Sequence, residues 1–184
     1  QKKSLTLLKQ QFVQCRIAYK KMAVLTEHFN SGETSRLNSP ALERLLSDSP
    51  TDIGEPDGLQ AIEQLLYSDW NEASYKQLDK YLLAISNTIV KLENEPDKSY
   101  RSRPALLWNA LRSATLRIIT LGITGFDSPV AQLSIPEAKA SFEGIKELLP
   151  YLKNDNGNSI DTKQVMIQIN NALQYLSQHA VFNS

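Results

Sequence analysis

Hydrophobic residues recur at alternating spacings of three and four along most of the chain, which is the period of an amphipathic helix. The first stripe consists of Leu5, Leu8, Phe12, Cys15, Tyr19 and Met22, and it continues to Leu25 or Phe29. It predicts a helix of about seven turns that ends near residues 30–32, where Asn, Ser and Gly follow one another. Because Cys15 lies on this stripe, we expect a buried thiol that packs as a small hydrophobe.

A polar connection containing serine and proline follows at residues 32–56, and a short helical turn is predicted within it at 41–46. Connections of this length are uncommon in compact bundles and often pack over a site. Asp57 then has the residue type and the position of an N-cap for a short helix at 58–67. The apolar positions of that helix, which we expect to be buried, are Ile62, Leu65 and Leu66.

Four further amphipathic segments are predicted as helices, opening at Asn71, at Pro104, at Pro136 and near residues 159–161. Their expected inward positions are Tyr75, Leu78, Leu82, Ile85, Ile89 and Leu92; Leu107, Leu111, Ala114, Ile118 and Leu121; Phe142, Ile145, Leu149 and Leu152; and Val165, Ile169, Ala172, Leu173, Leu176 and Ala180. No strand-like alternation competes with these patterns. The sequence therefore predicts an all-α fold: an antiparallel (up-and-down) bundle of four or more long helices plus the short helix, in a single domain over residues 1–184.

Composition narrows the classes of function. Twenty basic and twenty acidic residues cancel, so no net field attracts nucleic acid or anionic lipid. The longest apolar runs, such as residues 81–85, are too short to span a bilayer. The single cysteine excludes an internal disulfide, and no C-x-x-C-H motif is present to attach a c-type haem. The chain opens without an initiator methionine and stops without a helix-ending signal, so we expect part of a longer, processed protein.

Two polar segments are candidate sites. Gln60 and Glu63 lie three residues apart on one face of the short helix, and Glu55 precedes its positive N-terminal end. These side chains either converge on a ligand or metal, or are two solvated groups beside a helix cap, and residue chemistry alone favours the second reading. In the other segment, Asp127 either lines a pocket with Thr124 and a Phe126 wall, or caps the turn after Gly125; the turn is the favoured reading.

Classical catalytic and transition-metal patterns are not evident. His28 and His179 lack a second ligand three or four residues further on, so we expect both at the surface or rim. No G-x-S-x-G motif is present, and the sequence assembles no pair of nucleophile and base. A hydrolase is therefore the least favoured class.

Residues 55–67, EPDGLQAIEQLLY, resemble the G-x-H-A-I-E-x-L-L-aromatic segment of the imelysin family, with Gln60 in the place of the histidine. Residues 117–129, RIITLGITGFDSP, are similar to a helical domain that precedes dihaem cytochrome c peroxidase modules in Bacteroidetes-type bacteria. The resemblance extends over most of the chain. It implies an all-helical fold, a periplasmic or cell-envelope location with the option of a lipid anchor on a removed leader, and a link to iron uptake or iron-dependent redox chemistry.

The missing histidine changes what this resemblance implies. Gly58 and Glu63 match the family motif, but the Gln60 amide is a poor ligand for iron or zinc and suits Ca²⁺ or Mg²⁺ better. We therefore expect a non-enzymatic binding or interaction domain with no cofactor of its own, which docks onto or is fused to a haem peroxidase or another redox protein. The alternative is a metal-binding protein of iron uptake or handling. The expected ligand-binding residues are Glu55, Gly58, Gln60, Glu63 and Asp127.

Overall fold

The computed structural model describes residues 2–45, 53–94, 104–154 and 156–180. Within these ranges the α-helices are α1 (Lys2–Phe29), α2 (Ser31–Leu37), α3 (Gly58–Tyr67), α4 (Glu72–Asn94), α5 (Pro104–Arg117), α6 (Ser134–Leu148) and α7 (Lys163–Gln178). A π-helical turn, Ile118–Gly122, continues α5, and a 3-10 turn, Leu149–Tyr151, ends α6. The predicted all-α helical bundle is confirmed. A minimal antiparallel pair of two-residue strands, β1 (Arg44–Leu45) and β2 (Ile53–Gly54), crosses the connection before α3.

Helix α1 lies between two hydrophobic clusters. Phe12, Tyr19 and Ala23 belong to a cluster with apolar side chains of α2, α3 and α4. Val24 belongs to a second cluster, which gathers side chains of α5, α6 and α7. The central helix is therefore buried on two sides, and a buried polar residue on α1 must find its partners inside the protein because water cannot reach it.

Helices α1 and α6 run in the same direction and approach each other closely. Arg16 pairs with Glu137, and about one and a half turns further along both helices Lys21 pairs with Glu143. Gly144 permits the approach, since a Cβ at that position would lie 2.6 Å from the Lys21 carbonyl oxygen. This parallel contact brings the middle of α1 against the N-terminal half of α6, where the polar site described below is located.

The structure corrects which face of α1 is buried. Cys15 is exposed, so the prediction of a buried thiol is wrong, and Met22 is exposed as well. The buried face is rotated towards Arg16 and Lys20, both of which are enclosed by the surrounding helices. The apolar pattern misled the prediction because it assigns charged residues to the solvent, whereas here two of them point inward.

A similar correction applies to α4, which packs against α2 and α3 at one edge of the bundle. Its buried positions are Leu78, Ile85 and Leu92, as predicted. The predicted inward positions Tyr75, Leu82 and Ile89 are exposed instead, because a helix at an edge has neighbours along only a narrow face. On α7, Val165 is likewise exposed and Ile169 and Leu176 are buried.

The predicted boundaries are best for α3, which spans residues 58–67 as expected. The connection before it contains a helix at 31–37 that the sequence does not predict. The helical turn predicted at 41–46 is wrong for residues 41–45, which include strand β1, and residue 46 lies outside the described ranges. Helix α5 ends earlier than expected because its last turn widens into the π-helical turn, and α6 begins before Pro136. Over the part of the chain that the structure describes, no helix combines the length and hydropathy needed to cross a bilayer.

A buried ion network and an adjoining cleft

The start of α3 is held tightly against the end of α2. Gly58 has a φ of 85°, and a Cβ there would overlap the carbonyl oxygen of Arg36 and lie 2.9 Å from that of Leu37. Only glycine fits this backbone without strain. Asp57 occupies the predicted N-cap position, but its side chain makes no capping bond and instead accepts a hydrogen bond from Ser39 Oγ at 3.3 Å.

Gln60 and Glu63 are both buried, so the expectation that they are solvated is wrong. Gln60 Nε2 donates to the carbonyl oxygen of Asn38 at 3.4 Å. Glu63 Oε1 accepts the backbone N–H groups of Val130 at 3.2 Å and Ala131 at 2.6 Å. The two motif side chains thus connect α3 to the segment after α2 and to the segment that leads into α6.

Burial raises the pKa of the Glu63 carboxyl above its usual value, because a low-dielectric surrounding disfavours the charged form. The hydrogen bonds from Ala131 and Val130 and the positive charge of Arg16 act in the opposite direction without overcoming burial. Glu63 is therefore easier to protonate in the folded protein than in the unfolded chain.

Arg16 is the most enclosed charge among the described residues, with no exposed area. Its Nε and Nη2 atoms donate to the two carboxylate oxygens of Glu137 at 2.6 and 2.7 Å. Nη2 also donates to the Asp127 carbonyl oxygen at 2.7 Å, and Nη1 donates to Asn38 Oδ1 at 2.7 Å. Burial alone would lower the pKa of Arg16, but the hydrogen bond and charge of Glu137, together with the charges of Asp127 and Glu63, raise it overall, so the guanidinium stays charged.

Lys20 forms a second buried pair one turn along α1. Its Nζ contacts Asp127 Oδ2 and lies 3.7 Å from Glu137 Oε2. The other Asp127 oxygen, Oδ1, accepts a hydrogen bond from Asn38 Nδ2 at 3.1 Å. We call Arg16, Lys20, Asn38, Asp127 and Glu137 the ion network. The positive charges of Arg16 and Lys20 balance the negative charges of Glu137 and Asp127, and this balance allows the charges to remain inside the fold.

A cleft of about 280 Å³ opens beside the ion network, between α1, α2, the π-helical turn and the segment after it. It is lined by Tyr19, Glu27, Ser31, Thr34, Ser35, Asn38, Arg117, Leu121, Phe126 and Asp127. An inner cavity of about 20 Å³, large enough for one water molecule, shares Glu27, Arg117 and Asp127 with the cleft and also touches Lys20. The cleft is therefore the exposed side of the same polar region.

Arg117 stands where α5 passes into the π-helical turn, a type of irregularity that is frequent at functional sites. Its Nε lies 2.5 Å from Glu27 Oε2, while Glu27 Oε1 accepts the Tyr19 hydroxyl at 2.9 Å. Because Glu27 is shared in this way, the guanidinium does not bind it with two nitrogens. Among the described residues, Arg117 Nη2 is buried and has no hydrogen-bond partner.

Tyr19 is held in its neutral form at the inner wall of the cleft. Burial raises the pKa of its hydroxyl, and the neighbouring charge and hydrogen bond of Glu27 raise it further. The hydroxyl therefore remains a hydrogen-bond donor to Glu27 across the physiological pH range.

The structure places the expected site residues in two different environments. Asp127 belongs to the ion network and also lines the cleft. Gln60 adjoins the network through the Asn38 carbonyl, Glu63 is under the charge of Arg16, and Gly58 contacts the end of α2. Glu55 lies apart from them: it is exposed and forms an ion pair with Lys80 of α4. A surface pair of this kind contributes little to stability and gives Glu55 no geometric link to the buried residues.

The two readings of the segment after α5 are resolved in part. Asp127 and Phe126 line the cleft, as the pocket reading expects, and Asp127 is bound to Lys20 and Asn38 rather than capping a turn with its side chain. Thr124 is not in the lining; its hydroxyl donates to the carbonyl oxygen of Thr120 at 3.0 Å.

Sequence reasoning missed Arg16, Lys20, Asn38 and Glu137. One signal was available in the sequence around these two cations. Arg16 and Lys20 are four residues apart, and the neighbouring positions Phe12, Tyr19 and Ala23 are apolar and buried. A pair of cations on the inward side of a helix indicates buried acidic partners. The pattern does not identify those partners, because Glu137 is 121 residues away from Arg16 in the chain.

In the described ranges, no three His, Cys, Asp or Glu side chains are close enough together to hold a metal ion. Glu63 is turned towards backbone N–H groups and the charge of Arg16, which would oppose a second cation.

Comparisons with protein-family models, with curated proteins and with solved structures found no match to this chain. The resemblance to the imelysin family therefore depends on residues 55–67 and 117–129 alone.

Proposed function

We propose that this chain is a non-enzymatic binding or interaction domain and that the cleft is its binding site. One observation carries this proposal: Arg117, in the wall shared by the cleft and the inner cavity, has a buried nitrogen, Nη2, without a hydrogen-bond partner among the described residues, beside a polar network in which the other charged groups are paired with one another. A buried donor without a partner is costly, and such groups commonly mark a place that a water molecule or a ligand completes.

The motif at the start of α3 supports the cleft rather than forming it. Gly58 allows the contact with α2, Gln60 binds the carbonyl of Asn38, and Glu63 binds the segment that leads into α6. Asn38 and Asp127 of the cleft wall are fixed through these contacts. Binding residues that are locked by packing and hydrogen bonds lose less freedom when a ligand arrives.

The finer part of the proposal comes from the resemblance. We propose an imelysin-like domain of the periplasm or cell envelope that docks onto, or is fused to, a haem peroxidase or another redox protein. In its favour, residues 117–129, which carry the likeness to the peroxidase-associated group, contribute Arg117, Leu121, Phe126 and Asp127 to the cleft. C-x-x-C-H motifs in the same reading frame would support the fusion, and a stop codon directly after Ser184 would argue against it.

Protein-observed NMR with a library of small fragments tests the binding function. We expect binders to shift the amide signals of Tyr19, Arg117 and Phe126 while leaving α4 unaffected. A blocking variant, Ser35→Phe, narrows the cleft from the exposed side of α2 without removing a charged group. It should abolish these shifts. Fragments that bind only elsewhere, or equally to the variant, would refute the cleft as the binding site.

The metal-binding alternative is tested by thermal unfolding with Fe²⁺, Zn²⁺ or Ca²⁺. A metal at 100 times its Kd would stabilise the fold by roughly 2.7 kcal/mol. We expect no such shift, because the carboxylates around Glu63 are engaged with donors of the protein. A metal-dependent rise in Tm that is lost in Glu63→Gln would establish the alternative instead.

A further inference from the structure

We propose that the cleft binds a free α-amino acid with an apolar side chain. This inference rests on the proposed binding function and names the chemical class of the ligand. It follows from the spare hydrogen-bonding capacity, the charge balance and the apolar wall of the cleft.

Hydrogen-bonding groups of Arg117 and Glu27 are only partly used within the described part of the protein. Arg117 Nη2 is a buried charged donor that no described residue satisfies. Each carboxylate oxygen of Glu27 accepts one bond, from Tyr19 or from Arg117, and retains capacity for another. The cleft thus offers one cationic donor and one anionic acceptor to a ligand, and a matching ligand presents an acceptor and a donor.

The spacing of these groups restricts the ligand further. The ion pair between Arg117 Nε and Glu27 Oε2, 2.5 Å apart, holds the two side chains side by side. A group bound to Arg117 Nη2 and a group bound to Glu27 therefore lie close together. In an α-amino acid, the ammonium and the carboxylate are attached to the same carbon atom. The carboxylate would accept from Arg117 and the ammonium would donate to Glu27, which is a charge-assisted contact at each end.

Charge balance argues against a simple ion. An anion at Arg117 would face the carboxylates of Glu27 and Asp127, and a cation at Glu27 would face Arg117 with Lys20 behind it. Lys20 already neutralises Asp127, and Asn38 donates a hydrogen bond to it. A zwitterion avoids both repulsions because it carries each charge next to its opposite.

The outer wall of the cleft is apolar. Leu121 and Phe126 line it, and Phe126 is 58 % exposed, which is a large open area for an aromatic ring. An apolar ligand side chain that covers this ring removes water from both surfaces. The volume of about 280 Å³ suits one residue rather than an extended peptide, since drug-sized sites begin at roughly 300 Å³.

Isothermal titration calorimetry with L-phenylalanine and two analogues that each lack one charge tests this inference. 3-Phenylpropanoate has no ammonium, and phenethylamine has no carboxylate. We expect L-phenylalanine to bind at least tenfold more tightly than either analogue. Glycyl-phenylalanine and phenylalanyl-glycine leave only one of the two charges on the phenylalanine α-carbon, so both should bind as weakly as the analogues; a dipeptide that binds as tightly as L-phenylalanine would overturn the zwitterion assignment.

Variants locate the contact. Arg117→Gln should weaken L-phenylalanine binding at least tenfold, while Arg112→Gln, which removes an exposed arginine of the same helix, should leave it unchanged. Because Arg117→Gln also breaks the pair with Glu27, Ser35→Phe provides a second test that keeps every charge and should block binding.

Each negative outcome has a distinct meaning. Equal binding of L-phenylalanine and the singly charged analogues would overturn the zwitterion assignment. No amino acid binding, with fragments still bound in the cleft, would overturn the ligand class and leave the proposed function standing. If neither fragments nor amino acids bind, both proposals fail.

Discussion

Replacing Arg16 with methionine removes the most deeply buried cation of the ion network and keeps a long, flexible side chain in its place. Arg16 is fully enclosed and donates four hydrogen bonds of 2.6–2.7 Å. Without it, Glu137 remains buried, and its nearest cation is Lys20, 3.7 Å away and already in contact with Asp127. The variant therefore leaves one carboxylate in the interior without adequate compensation.

Removing one partner of a buried ion pair destabilises a protein by about 3–5 kcal/mol. For a chain of this size, a loss of about 1 kcal/mol in the free energy of unfolding lowers the Tm by 2–4 °C. The Tm of Arg16→Met should therefore fall by roughly 6–20 °C. The double variant Arg16→Met/Glu137→Met should lose less than the single variant, because no charge is then left alone. It should not recover fully, since Asn38 Oδ1 and the Asp127 carbonyl lose their donor.

Urea unfolding followed by circular dichroism measures these differences. The matched control is Lys21→Met, which removes the neighbouring pair of the same two helices, where Lys21 Nζ lies 2.8 Å from Glu143 Oε2 and both side chains are partly exposed. That pair should contribute about 0–1 kcal/mol. The reasoning is refuted if Arg16→Met costs no more than Lys21→Met, or if the double variant is less stable than Arg16→Met.

Three other changes test separate parts of the structure. Burial raises the pKa of Glu63 above its usual 4.5, so ionisation of this carboxyl opposes folding. The stability that the carboxyl contributes is greatest below pH 4.5 and is lost as pH rises through the folded-state pKa. Glu63→Gln should therefore gain stability relative to the native chain as pH rises above 4.5, whereas Glu33→Gln should show the opposite sign because Lys91 lowers the pKa of Glu33. Gly58→Ala should lower the free energy of unfolding by more than about 2 kcal/mol, because of its positive φ and the overlap with Arg36. Gly32→Ala, with no atom near its Cβ, should raise it by about 0.5–1 kcal/mol because the residue lies in a helix. Cys15→Ser should change the free energy of unfolding by less than about 0.5 kcal/mol, and the folded protein should react with a thiol reagent, since a protected thiol would contradict its exposure.

The extent of α3 could be predicted because its limits are local. Pro56, Asp57 and Gly58 form a start signal within three residues, and the apolar positions Ile62 and Leu66 then repeat at helical spacing. The fold class follows in the same way, since each stripe is visible within its own segment. Nothing in those stripes shows whether a neighbouring helix covers them. The stripe on α4 therefore predicts Leu82 and Ile89 as buried, although both are exposed.

The candidate site could be predicted only in part. Gly58, Gln60, Glu63 and Asp127 were identified from two short segments, but the role of each depends on residues far away in the chain. Arg16 and Glu137 meet only after the bundle has closed, so no local pattern announces their contact. Glu55 is a predicted site residue because it precedes the motif, but its pairing with Lys80 shows that closeness in sequence does not bring it to the site.

The position of α1 between the two hydrophobic clusters has a consequence for synthesis on the ribosome. The partner of Arg16 is made 121 residues later, which at 5–20 residues per second is a delay of about 6–24 s. Until α6 emerges, the N-terminal helices can bury α1 only by enclosing two unpaired cations, which is strongly unfavourable. We therefore expect the nascent chain to remain open until its C-terminal half arrives, and the two clusters to form together rather than one after the other.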